Sequence, residues 1–273
     1  MNNTTSKQKS ILYFTLPIAV LIVFCSGIGA FEHGFYSRET ADWMYQCVGQ
    51  DFSNLFFVVP ALVISAFFAA KGNRIAKIIW AGTMITNIYS YMIYCFAVHF
   101  NSLFHFYCAI LGLSVYALIH FAMRNTGEDF KAWFSESVGV KPVGILLLVI
   151  VAVFYFMWFS QSLPAVLAGT VPASVTGDGL LTNPVHALDF AFFLPLLVLS
   201  AILLLKKRIL GFFLAPMMLV FGITTNVNII SLTAVTMIHS TTNGLPLIIV
   251  FTVFTLLCLT FLCLFLRQIK KPA

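Results

Sequence analysis

His186 and Asp189 stand three residues apart, so on a helix their imidazole and carboxylate share one face and can converge on a single partner. Asp51 and Asn54 repeat that spacing earlier in the chain. His99 and His105 bracket a short polar turn, and His239 precedes Asn243. Three chemistries suit this inventory. Neutral imidazole and carboxylate ligate zinc, copper or iron, which makes His99, His186, His239 and Asp189 candidate metal ligands. Two histidines on facing helix ends could hold a haem axially. The same groups titrate in the physiological range and could relay protons or bind a polar solute. A plainer reading needs no ligand, because residues with one polar end collect where membrane meets water. No H-E-x-x-H pattern or close histidine pair on one helix singles out any of these.

The elements that must position these residues are apolar. The chain is 60% hydrophobic and 9% charged, with a mean hydropathy of +0.99, which excludes an ordinary soluble domain. Apolar runs near 11–31, 53–70, 78–99, 102–123, 143–162, 188–205, 209–238 and 245–266 predict about eight membrane helices, each near the ~20 residues that cross the hydrocarbon core. No loop is long enough for a separate domain. The first run exceeds a typical signal-peptide core and reads as a membrane helix.

Of the 15 Lys and Arg residues, all but Arg38 fall on one side of this map. Lys7, Lys9, Lys71, Arg74, Lys77, Arg124, Lys131, Lys141, Lys206, Lys207, Arg208, Arg267, Lys270 and Lys271 share that side. The positive-inside rule then predicts both termini in the cytoplasm. The basic balance reflects this topology and contact with lipid, not nucleic-acid binding. Every histidine except His120 maps to the opposite side, with Glu32, Glu39, Asp42, Asp51, Asp178 and Asp189.

The second and sixth runs align without gaps. Pro60, Ser65 and Lys71 match Pro195, Ser200 and Lys206, and the polar pairs Asp51/Asn54 and His186/Asp189 precede each proline by the same offsets. The third and seventh runs both end at a histidine followed by asparagine, His99/Asn101 and His239/Asn243. These matches predict a parallel duplication of a four-helix unit, 1–141 and 142–273. Each proline frees a carbonyl four residues earlier, near Phe56 and Ala191, so Pro60 and Pro195 are expected helix kinks.

Asn87, Ser90, Tyr91 and Tyr94 fall on one face of the third run, and Thr224, Asn228 and Ser231 on one face of the seventh. Polar groups at that depth turn toward other helices or a cavity. The length of the seventh run predicts tilt or a break around 222–228. Among the six cysteines, Cys47 is expected in an outer loop, and no C-x-x-C pair occurs. Phe130, Trp133 and Phe134 predict a short interfacial helix that anchors an inner loop. No Walker A, G-x-G-x-x-G or G-x-S-x-G pattern suggests nucleotide or hydrolase chemistry.

The stretch from Tyr91 through Tyr94, Phe96, Val98, Phe100, Asn101, Leu103 and Phe104 to Tyr107, and the run from His186 and Asp189 to the basic turn, resemble segments of uncharacterised bacterial multipass membrane proteins. The resemblance implies a bacterial plasma-membrane protein and carries no activity.

The leading expectation is a non-enzymatic membrane protein that binds or moves a small solute or ion through an outward-facing vestibule. Asp51, Asn54, Asn87, His99, His105, His186, Asp189, Asn228 and His239 are its candidate lining. The alternatives are a metal- or haem-dependent membrane oxidoreductase using the same histidines, and a structural subunit whose polar residues only knit helices together.

Overall fold

The computed structural model of the chain describes residues 2–240 and 243–270, with side chains from residue 10 onward. Lys271 and the side chains of Lys7 and Lys9 lie outside the described residues. Among these residues the chain is all-α, with nine helices. They are α1 (Asn2–Phe31), α2 (Ala41–Ala69), α3 (Arg74–Ala97), α4 (Phe104–Arg124), α5 (Val140–Ala168), the short α6 (Ala173–Gly177), α7 (Pro184–Leu205), α8 (Gly211–His239) and α9 (Leu245–Leu266). Seven are long and apolar enough to cross a membrane. The remaining long helix, α3, runs for 24 residues. Thr83, Thr86, Asn87 and Ser90 dilute its hydropathy, and all four are buried.

The surface is apolar as well as the core, and polar side chains are buried within that core. Phe56, Ile64, Phe156, Val253 and Leu264 face outward, whereas Thr15, Ser26, Asp51, Asn54 and Asn228 are buried. In lipid this pattern is favourable, since apolar side chains gain nothing by hiding and polar ones need partners.

The first four long helices close a ring, α1 against α2 and α4, and α3 against α2 and α4. The last four close a second ring, α7 and α9 each touching α5 and α8. The rings join through α8, which packs on α2 and α3, and through α3, which reaches the start of α7. At one end of the molecule Ser135 N donates to Gln268 O (2.9 Å) and Lys270 N to Trp133 O (2.8 Å). At the other, Arg38 donates to Phe100 O (2.6 Å) and Trp43 Nε1 to Ala97 O (3.0 Å).

Two helices carry the same local irregularity. α2 widens into a π turn over Asn54–Val58, and α7 does so over Asp189–Phe193. Val59 N bonds to Asn54 O and Leu194 N to Asp189 O, the five-residue spacing of that geometry. Each turn ends two residues before a proline, Pro60 or Pro195.

Several expectations are corrected. α2 begins at Ala41, well before 53, because Asp42, Gln46, Gln50 and Asp51 disguise its first turns as loop. Cys47 therefore lies buried in a helix and not in an outer loop, and all six cysteines are free. α8 continues unbroken through Gly222–Asn228. The segment around Phe130 forms only a 3₁₀ turn, Lys131–Trp133, with its aromatics buried in protein instead of lipid. Phe130 stacks near Phe213, and Phe134 near Phe212 and Phe265.

Candidate functional site

Where α3 meets α8, small residues bring the backbones together. A Cβ on Gly82 would collide with Val220, and one on Gly49 of α2 with the backbone of Leu232. Polar side chains then reach across. The Thr86 hydroxyl bonds to that of Thr224. Asn228 links three helices: its Oδ1 accepts from Ser53 Oγ (2.6 Å), and its Nδ2 donates to Ser90 Oγ (3.4 Å). Ser231 Oγ donates to Gly49 O at 2.6 Å. Asn87 instead turns back into the first ring, where its Nδ2 donates to Ser114 Oγ at 2.8 Å.

The first ring buries a carboxylate and packs tyrosine rings beside it. Asp51 is 2% exposed and accepts from Tyr36 Oη (2.6 Å) and Tyr94 Oη (2.7 Å). Gly29 leaves room for the carboxylate, which a Cβ there would displace. Tyr91, Tyr94 and Tyr107 pack ring to ring beside it. Asn54, at the start of the π turn, donates to Ser26 Oγ (3.1 Å) and accepts from Gln50 Nε2 (2.9 Å).

The second ring buries a carboxylate too, but leaves space. Asp189 opens the α7 π turn and is 7% exposed. Trp158 Nε1 donates to its Oδ2 at 2.7 Å, and the Tyr89 hydroxyl lies beside it. Asp189 borders a cavity of about 340 Å³ between the rings, within the range of small-molecule sites. Its walls are aromatic, with Tyr89, Phe154, Trp158, Phe221 and Phe251, and its polar lining includes Gln50, Ser90, Thr225 and Asn228. Thr225 Oγ1 has no hydrogen-bond partner in the protein. Among the described residues neither Asp51 nor Asp189 has a basic partner; the ion pair present joins His99 Nδ1 to Glu39 Oε2 at 2.8 Å.

The histidines are not gathered. His99 is tied to Glu39, His186 lies under the Trp158 ring at 4.5 Å, and exposed His239 stacks on Tyr45 at 4.6 Å. His105 is exposed and meets Phe104. Among the described residues no three His, Cys, Asp or Glu side chains stand close enough to share a metal ion, and each of these four histidines is engaged by a different neighbour. The arrangement does not fit a metal centre. At the molecular end near His99, Asp178 accepts from Gln46 Nε2 (3.2 Å). Burial and the nearby Asp42 charge hold the Asp178 carboxyl above its ordinary range, against the Gln46 hydrogen bond.

Of the sequence candidates, Asp189 and Asn228 line the cavity, while Asp51, Asn54 and Asn87 sit inside the first ring. Sequence reasoning missed Tyr89, Trp158, Gln46 and Gln50. Trp158 carried a usable signal: an indole N–H inside an apolar run requires an acceptor.

The chain matches no family model, no curated protein and no solved structure. It is a multipass helical membrane protein, and the bilayer is its medium.

Proposed function

We propose that the protein binds a small, largely apolar solute in the cavity between its two rings, without chemical conversion, as a carrier or receptor for that solute. The observation that carries this reading is the cavity itself: apolar walls, a few convergent polar groups and a buried carboxylate, at the joint between two helical units. Joints of this kind are where membrane carriers place their sites.

The reading includes a topology. All eight long helices cross the membrane, α3 being shielded from lipid by α2, α4 and α8. Both termini lie in the cytoplasm, with the basic loops near Arg74, Trp133 and Lys270. The two rings descend from one duplicated four-helix unit, spanning 1–141 and 142–273. The equivalent ring connectivity and the π turns at one offset from Pro60 and Pro195 support that descent.

The test is access. Thr225→Cys, in a background with the native cysteines replaced, should react with a small methanethiosulfonate added to the outer face of vesicles. Gly222→Phe, which places a ring in the cavity, should abolish the reaction. A thiol at 225 that stays unreactive while one at exposed Gly34 labels fully would contradict the reading.

A further inference from the structure

We infer that the solute is an organic cation, an ammonium carried on a small aromatic or aliphatic body; this rests on the cavity being the binding site. Three features converge on that class.

The first is an uncompensated carboxylate. Asp189 borders the cavity, and no Lys, Arg or His forms an ion pair with it among the described residues. Its hydrogen-bond donors are neutral, the Trp158 indole at 2.7 Å and the neighbouring Tyr89 hydroxyl. An ionisable group at membrane depth is costly unless paired, and such groups mark ligand or ion pathways. An entering cation would supply the missing charge.

The second is the wall. Tyr89, Phe154, Trp158, Phe221 and Phe251 border the same space. The faces of such rings are electron-rich and attract cations, most strongly when water is excluded. Among the described residues no basic side chain lines the cavity, so an anionic solute would meet Asp189 without compensation.

The third is the contrast with Asp51. That carboxylate takes hydroxyl donors from Tyr36 and Tyr94 and has tyrosine rings packed around it. Burying a carboxylate as a helix link therefore does not require an adjoining cavity. The space beside Asp189 is a separate feature, and Thr225 Oγ1 and Asn228 border it as further polar contacts.

The experiment compares three soluble probes of one size by calorimetry on the full chain in nanodiscs: 2-phenylethylammonium, 2-phenylethanol and phenylacetate. The expected result is saturable binding of the ammonium at least about tenfold tighter than the alcohol, a difference of about 1.4 kcal/mol, with no binding of phenylacetate. Asp189→Asn should erase the preference and Asp189→Glu should keep it. The wild-type ranking decides even if a variant fails to fold. If the alcohol binds as tightly as the ammonium and Gly222→Phe removes both, the cavity remains a solute site but the cation assignment is wrong. If none of the three binds, the cation assignment is likewise overturned. Proton capture by Asp189 alone would show as ammonium binding no tighter than the alcohol.

Discussion

Thr86 on α3 and Thr224 on α8 meet hydroxyl to hydroxyl in the interior where the two rings join. Each hydroxyl also has a carbonyl of its own helix within reach, Gly82 O for Thr86 and Val220 O for Thr224; with one proton apiece, one threonine donates across to the other, which donates back onto its own helix. The contact is possible because Gly82 lets α3 approach Val220. α3 and α8 thus form the shared axis about which the cavity is built; of the polar residues that lower the hydropathy of α3, Thr86 and Ser90 act at that joint, whereas Asn87 turns to Ser114 and Thr83 to Ile79 O.

Close approach makes the glycines sensitive. Gly49→Ala and Gly82→Ala should each destabilise the protein by about 1–3 kcal/mol through overpacking. Gly112→Ala, whose Cβ would meet nothing within 4 Å, should be neutral or slightly stabilising. Thermal melts in one detergent check the contrast.

The Asp51 site depends on acceptor chemistry. Asp51→Asn keeps the shape but turns an amide N–H₂ toward hydroxyls that now donate to the carboxylate. It should cost about 1–3 kcal/mol, the usual penalty for unmatched buried polar groups. Tyr36→Phe should cost less, since Tyr94 still donates to Asp51. Denaturant or thermal unfolding of the two variants measures the order.

Trp158→Phe removes the indole donor from Asp189 while keeping an aromatic wall. A loss of about 1.5–3 kcal/mol is expected for a hydrogen bond to a charged group. Stability of the Trp158→Phe/Asp189→Asn double variant should fall by less than the sum of the single effects. Additive losses would show that the two side chains act independently.

Asp178 sets a pH dependence at one end of the molecule. Burial and Asp42 hold its folded-state carboxyl above the ordinary range. Stability linked to this group is therefore present in acid and is lost as pH rises through its folded-state titration. Asp178→Asn should remove that loss, leaving the variant slightly more stable at neutral pH, by about 0.5 kcal/mol or less. Unfolding of both proteins across pH 3–8, the range spanning about the ordinary carboxylate titration and neutrality, tests the sign.

Much of the frame was legible because its signals are local and physical. Apolar length marked seven of the long helices, and the second residue of each polar pair before Pro60 and Pro195, Asn54 or Asp189, opens a π turn. The start of α2 was hidden, since Asp42, Gln46 and Gln50 read as loop, although all three are helical and Gln46 and Gln50 bond to Asp178 and Asn54. The histidines misled for a related reason. Their shared depth along the spans says nothing about direction around the bundle, and His99, His186 and His239 each turn to a different neighbour. The cavity was not legible at all. It arises from the packing of α5, α7, α8 and α9 against α2 and α3, which a single chain pattern does not encode.

The most direct test of the account is to locate a bound solute. An aryl-azide derivative of 2-phenylethylamine would be photolysed on the full chain in nanodiscs and its adducts mapped by peptide mass spectrometry. The account predicts saturable adducts on α5 around Phe154 and Trp158 and on α9 around Phe251, displaced by unmodified 2-phenylethylammonium. Adducts confined to outward-facing residues such as Phe96, Leu181 or Phe192, or adducts that excess amine does not displace, would contradict it.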